Sequence, residues 1–170
     1  METVLPATFK ESSTNLGTVS VQNDATNGMS IGTVCSGEDG DFIRFHTGAS
    51  GNERLRISAN GTSTFKKRVI QTPTAVAALE IDCATSNYFT KAISANSTFT
   101  FANVPSSDEA YGFVLELDVS GDRTLTWPAA VKWSGGSTPT LTADKTHLFS
   151  FITVDGGTTW RGSAAVDFTT

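Results

Sequence analysis

Two alternating runs constrain this chain more than any other feature. Residues 111–119 read YGFVLELDV, and residues 148–154 read LFSFITV. In the first run Phe113, Leu115, Leu117 and Val119 fall at every second place. That period buries one face of a strand and cannot serve a helix, whose faces repeat every three or four residues. Asp155-Gly156-Gly157-Thr158 then turns the second run onto Thr159-Trp160. Adjacent glycines accept the positive φ that a tight hairpin needs. Leu125 and Trp127 share a face of the preceding strand, which Pro128 ends because proline cannot donate to a ladder. Residues 123–162 also hold all three tryptophans, Trp127, Trp133 and Trp160. They predict the packed centre of a β-domain.

The rest of the chain agrees with that class. No segment sustains a helical period with caps. Serine and threonine make up about a quarter of the chain, and threonine suits strands. Further strands are expected over 76–82, 87–93 and 97–101. The expected core is Phe99, Phe101, Phe113, Leu115, Leu117, Leu125, Phe149, Phe151 and Ile152. Roughly seven or eight short strands in about 100 residues predict an antiparallel β-sandwich, jelly-roll-like, over 71–170.

Residues 1–70 read differently. The first 40 are polar and turn-rich, with short strands around Val19, Val21, Ile31 and Val34. Asn27-Gly28 and the glycines of 37–40 break them. A hairpin follows, with strands over 42–45 and 54–57, a turn over 46–53 and another at 58–61. Lys66-Lys67-Arg68 and Pro73 mark the boundary. This region lacks enough apolar residues for its own core, so an extended or hairpin-rich region anchored on partner chains is expected.

The charged residues narrow the function. A net charge of −5 argues against nucleic acid, which selects basic surfaces. The run Lys66-Lys67-Arg68 reads as a solvated linker, with an anionic-ligand contact as its functional alternative. His46, expected in a turn, and His147, at a strand start, lack metal-ligand spacing and read as structural. No G-x-S-x-G elbow is present. Glu116 and Asp118 share an outward strand face, and Asp108-Glu109 lies in a polar stretch. Glu38, Asp39 and Asp41 cluster among glycines, the oxygen chemistry a hard cation takes, but without calcium-loop spacing. Cys35 and Cys83 are too sparse for a disulfide scaffold and are expected as free thiols. No leader opens the sequence and no apolar run is long enough for a bilayer, so a soluble chain without membrane insertion is expected. No catalytic residue, cofactor or metal is expected. Flat aromatic faces can take sugars. Trp133, beside Gly135-Gly136, is the expected exposed candidate, whereas Trp127 and Trp160 are expected in the core.

Two sets of residues carry a resemblance. The first is TWPAAVKW at 126–133, Gly135-Gly136, TPTL at 138–141 and DGGTTW at 155–160. In order and spacing it resembles a module at the C-terminal end of bacteriophage tail-fibre and related virion proteins, of common form TWPASVKWPGG, a TPTL-like run and DGGTTWYG. The match covers residues 72–170. Ser134 stands where proline is commoner, and Arg161 where tyrosine is commoner. The second is Ile43, Phe45, Thr47, then Glu53, Arg54, Leu55, Arg56, Ile57, then Asn60-Gly61. It resembles a repeat of phage fibre proteins, I-x-F-x-T, a loop, E-R-M/L-R-I and an Asn-Gly turn. The resemblance implies a non-enzymatic virion structural protein, homotrimeric and bound to other virion proteins. The implied role is a short tail fibre or fibre tip contacting host surface glycan or protein. The alternative is a capsid decoration or head-fibre protein. Trp133, Gly135, Gly136, Arg161 and Tyr111 are the candidate ligand or subunit contacts.

Overall fold

The structure is a computed structural model that describes residues 18–24, 28–34, 42–47, 52–58 and 60–169. The protein is all-β, with no α-helix among the described residues and one 3₁₀ turn at Ser134–Gly136. The chain divides into two compact units, Met1–Val69 and Ile70–Thr170.

In the first unit, β1 (Thr18–Asp24) and β2 (Gly28–Val34) form an antiparallel hairpin. β3 (Phe42–Thr47), β4 (Asn52–Ser58) and β5 (Ser63–Phe65) form a three-stranded antiparallel sheet. β3 runs on through His46 and Thr47, so the turn is shorter than the sequence reading had it. The register pairs Ile43 with Ile57, Phe45 with Leu55, and Leu55 with Phe65. Side chains alternate across a sheet, so these five share one face, and Arg54, Arg56 and Thr64 share the other. Phe45 and Phe65 are 51% and 58% exposed. The Asn60-Gly61 turn closes with Gly61 N–H donating to Ser58 O at 2.8 Å, and Gly61 takes φ +79°.

The second unit contains β6 (Thr74–Ala75), β7 (Glu80–Asp82), β8 (Tyr88–Ile93), β9 (Ser97–Thr98) and β10 (Thr100–Ala102). β11 (Ser107–Val119), β12 (Leu125–Thr126), β13 (Val131–Trp133), β14 (Lys145–Asp155) and β15 (Trp160–Phe168) complete it. A six-stranded sheet runs in the order β13-β15-β14-β11-β8-β6. Its centre is the antiparallel pair β11 and β14, in which Phe113 faces Phe151, Leu115 faces Phe149 and Leu117 faces His147. All six are buried. Each row of this ladder stacks large side chains on one face, the unit by which sheets are stabilised.

Antiparallel pairing stops at β15. β8 joins β11 in parallel, β6 joins β8 in parallel, and β13 joins β15 in parallel. The sheet is therefore mixed, which corrects the antiparallel expectation. Parallel neighbours need a crossover. Short strands supply it between β6 and β8 and between β8 and β11, and they pair as β7 with β10 and β9 with β12. Phe101 of β10 packs on Phe113, Phe151 and Trp160, with ring centroids 5.1–5.2 Å apart. Phe99, between β9 and β10, stacks on Trp127 at 4.9 Å.

Those crossovers break two runs expected as single strands. Residues 76–82 bend at 77–79, where the chain leaves β8's neighbour to become β7. Residues 97–101 split at Phe99, so that β9 pairs with β12 and β10 with β7. One core assignment also fails. Ile152 is 53% exposed, because Phe149, Phe151 and Thr153 take the inward phase of β14. Thr153 is inside for a polar reason. Its Oγ1 accepts from Gly157 N–H at 3.1 Å and donates to Asp155 Oδ1 at 2.9 Å, tying strand to turn.

Candidate functional site

The three tryptophans come from three separated segments and meet on one aromatic cluster. Trp160 opens β15 and is 2% exposed. Trp127 follows β12, its ring 4.9 Å from Phe149 and 5.2 Å from Phe151. Trp133 ends β13, with ring centroids 5.5 Å from Trp127 and 5.7 Å from Phe151. Trp160 takes the core role expected of it, and Trp127 is partly buried, packed against the same core. Trp133 is half-buried against Phe149 and Phe151, so it is less open than the sequence suggested.

The DGGTT turn that presents Trp160 is held by one carboxylate. Asp155 Oδ1 accepts from Thr159 N–H at 2.9 Å and from Thr153 Oγ1 at 2.9 Å. These bonds, Thr159's first, hold its carboxyl below the usual value of 3.8. Gly156 and Gly157 take φ +64° and +78°.

Four of the five candidate contacts lie at one edge of the sheet. Trp133 leads into the Ser134–Gly136 turn, which touches β15. Gly135 and Gly136, at φ +79° and +81°, have nothing within 4 Å of where a side chain would begin. Lys132 is the register partner of Arg161, and both are exposed. Tyr111 does not join them. It sits on β11, half-buried, and its hydroxyl donates to Ser86 O. Burial is the main cause that raises its phenol, followed by Cys83 and Asp82. Tyr111 is thus a structural contact of the core rim, and its ring packs 6.2 Å from Trp160.

The outward carboxylates are engaged by hydroxyls. Glu116 accepts from Tyr88 OH at 2.5 Å, and Asp118 accepts from Thr146 Oγ1 at 2.6 Å. Glu109 accepts from Ser106 N–H at 3.2 Å. Glu38, Asp39, Asp41 and Cys35 lie outside the described residues. Among those described, no three His, Cys, Asp or Glu side chains gather as a metal would require, and no helix is long and apolar enough to cross a membrane.

Two concavities escaped the sequence reading. A cleft of about 350 Å³ runs between Arg123–Leu125 and the 138–141 segment, over Trp127 and Phe149. Trp127 Nε1 is buried without a hydrogen-bond partner there among the described residues. The TPTL run was its only signal in the sequence. The other is an open cavity of about 600 Å³ on the first unit, lined by Arg54, Arg56, Lys66, Lys67, Glu53 and Asn52. Lys66-Lys67 was visible as a charge run, but the two arginines join it only through strand register.

Comparison with protein-family models, with curated proteins and with solved structures finds no match to this chain.

Proposed function

We propose that this chain is a non-enzymatic structural protein of a bacteriophage virion, a short homotrimeric tail fibre or fibre tip that contacts the host surface. The observation that supports it best is the one-sided apolar face of β3–β5. Three short strands cannot bury Ile43, Phe45, Leu55, Ile57 and Phe65 on their own, and Phe45 and Phe65 stay about half exposed. A threefold assembly would turn these faces toward one another and leave the charged faces outward. The segments that carry the resemblance supply the clustered tryptophans, so the pattern is one of packing. Residues 70–170 are read as a sandwich-type domain with β7/β10 and β9/β12 as the second layer. The parallel pairs set it apart from a jelly roll. The Trp133–Gly136 turn and Arg161 form its displayed edge.

Light scattering tests the assembly. The full chain is expected as a trimer, and Phe45→Ser with Phe65→Ser is expected to yield monomer with the melting of residues 70–170 unchanged. A folded monomer at micromolar concentration would end the trimer reading. Antibody labelling of phage particles tests the location: label on tails supports a fibre, label on heads supports the decoration alternative, and unlabelled particles defeat both.

A further inference from the structure

The lining of the cleft of about 350 Å³ on the second unit sorts by burial. Leu125, Trp127 and Leu141 are half-buried and Phe149 is buried, whereas Arg123, Thr124, Thr138 and Thr140 are exposed. An apolar floor under a few polar groups is the usual build of a small-molecule site.

The polar groups are held in place but not used up. Thr124 N–H donates to Asn96 Oδ1 at 2.9 Å, and Thr124 O accepts from Ser97 N–H at 3.0 Å. The hydroxyls of Thr124, Thr138 and Thr140 make no hydrogen bond among the described residues. Arg123 Nη1 donates to Asp122 O at 3.1 Å, and its Nη2 lies 3.2 Å from where a Cβ on Gly121 would stand. No carboxylate of the described residues pairs with this guanidinium, so donors remain for a ligand. In the floor, Trp127 Nε1 is buried and lacks an acceptor among the described residues. Buried donors are almost always paired, and a ligand oxygen that reached this one would supply the acceptor.

These groups together select one ligand chemistry. A guanidinium fork takes a carboxylate through two parallel hydrogen bonds. Threonine hydroxyls both donate and accept, as the hydroxyls of a sugar ring require. The apolar floor takes the C–H face of that ring. An acidic peptide would engage Arg123 and leave the threonines to water, and a neutral sugar would leave the guanidinium to water.

We infer that this cleft binds a single carboxylated sugar unit, with its carboxylate on Arg123 and its ring over the apolar floor. The inference rests on the host-contact reading, for which it names the ligand class of the second unit.

Titration of the nitrogen-15-labelled full chain with methyl glucuronide and with methyl sialoside tests it. For at least one of them, amide shifts at Arg123, Thr124, Thr138 and Thr140 are expected to saturate with one site per chain. The neutral methyl glucoside is expected to bind at least about tenfold more weakly. Arg123→Gln is expected to remove that preference, whereas Lys132→Gln leaves it unchanged. Arg123 is exposed, so its variant is expected to keep the wild-type melting curve. Binding of neither acid, binding that Arg123→Gln retains in full, or equal binding of the glucoside overturns the inference. Glutarate, an acid without a ring, binding as tightly as the sugars overturns the sugar in favour of carboxylates at large. The probes are free sugars, so the two readings fail separately: a failed titration leaves labelled tails as they are, and unlabelled particles leave a measured sugar affinity standing.

Discussion

The indole of Trp133 lies across Gly162, so closely that a Cβ on the glycine would come within 2.9 Å of Trp133 Cε3. The two are register partners in the parallel β13–β15 pair, and Gly162 also faces Phe151 of β14. The missing side chain makes the slot in which the ring packs. Backbone strain plays no part, because Gly162 is not among the positive-φ residues.

Gly162→Ala therefore overpacks the aromatic cluster. It is expected to destabilise the C-terminal unit by about 1–3 kcal/mol, read from the midpoint of urea unfolding. Tryptophan fluorescence of the native state should shift as Trp133 is pushed outward. An unchanged midpoint would mean that the ring can move aside freely.

Asp155 gives the β14–β15 turn a pH dependence with a definite sign. Its folded carboxyl lies below the usual 3.8, held by Thr159 N–H and Thr153 Oγ1. The stability it contributes is present above the unfolded value and is lost as pH falls through the folded one. Asp155→Asn should flatten that part of the acid-unfolding curve. If wild type and variant lose stability in parallel below pH 4 or so, the turn is not held by this carboxylate.

Cys83 is 6% exposed, and burial, then the charge of Asp82, pushes its thiol up to about 11. The thiolate is the reactive form, so a thiol reagent at pH 8 should leave Cys83 unmodified in the folded chain and label it in denaturant. The neutral thiol favours folding below the unfolded value near 9.0, and this contribution fades as pH rises toward 11. Peptide mapping after labelling reads the site directly. Rapid labelling of native Cys83 would contradict its burial.

His147 is fully buried between two backbone groups. Its Nδ1 accepts from Asp167 N–H at 3.2 Å, which leaves Nε2 as the protonated nitrogen, donating to Thr142 O at 3.1 Å. Nitrogen-15 NMR should find the neutral Nε2–H tautomer. His147→Leu keeps the bulk but orphans both groups, at an expected cost of about 1–3 kcal/mol in chemical unfolding. A neutral effect would mean that water reaches Thr142 and Asp167 in the variant.

Much of the second unit is legible in the sequence. The alternation around Leu115 and Phe149 named the central strands and their buried faces, since period two has one structural meaning. Asp155-Gly156-Gly157 named its turn. Ile152 does not belong to the core, and period two already sets it opposite Phe149 and Phe151; its apolar character outweighed that alternation. Thr153 keeps the inward phase, where its hydroxyl holds Asp155 and Gly157. Trp133 looked exposed beside two glycines, and nothing local announces that Gly162, 29 positions later, is its slot. The basic cavity was half visible. Lys66-Lys67 is a run, but Arg54 and Arg56 reach it only across the β4–β5 turn.

By itself, then, the sequence determined what depends on neighbours along the chain: an all-β class, the faces of the strands and the places of the hairpins. Tertiary structure decided which strands pair and in which direction. Residues 76–82 and 97–101 are apolar enough to be continuous strands, yet each breaks so that the chain can pass over the sheet and return parallel. An edge of backbone donors and acceptors accepts either direction of partner. The choice falls to side chains such as Phe99 and Phe101, which lie far from Trp127, Phe151 and Trp160 in sequence and are buried only when all of them meet.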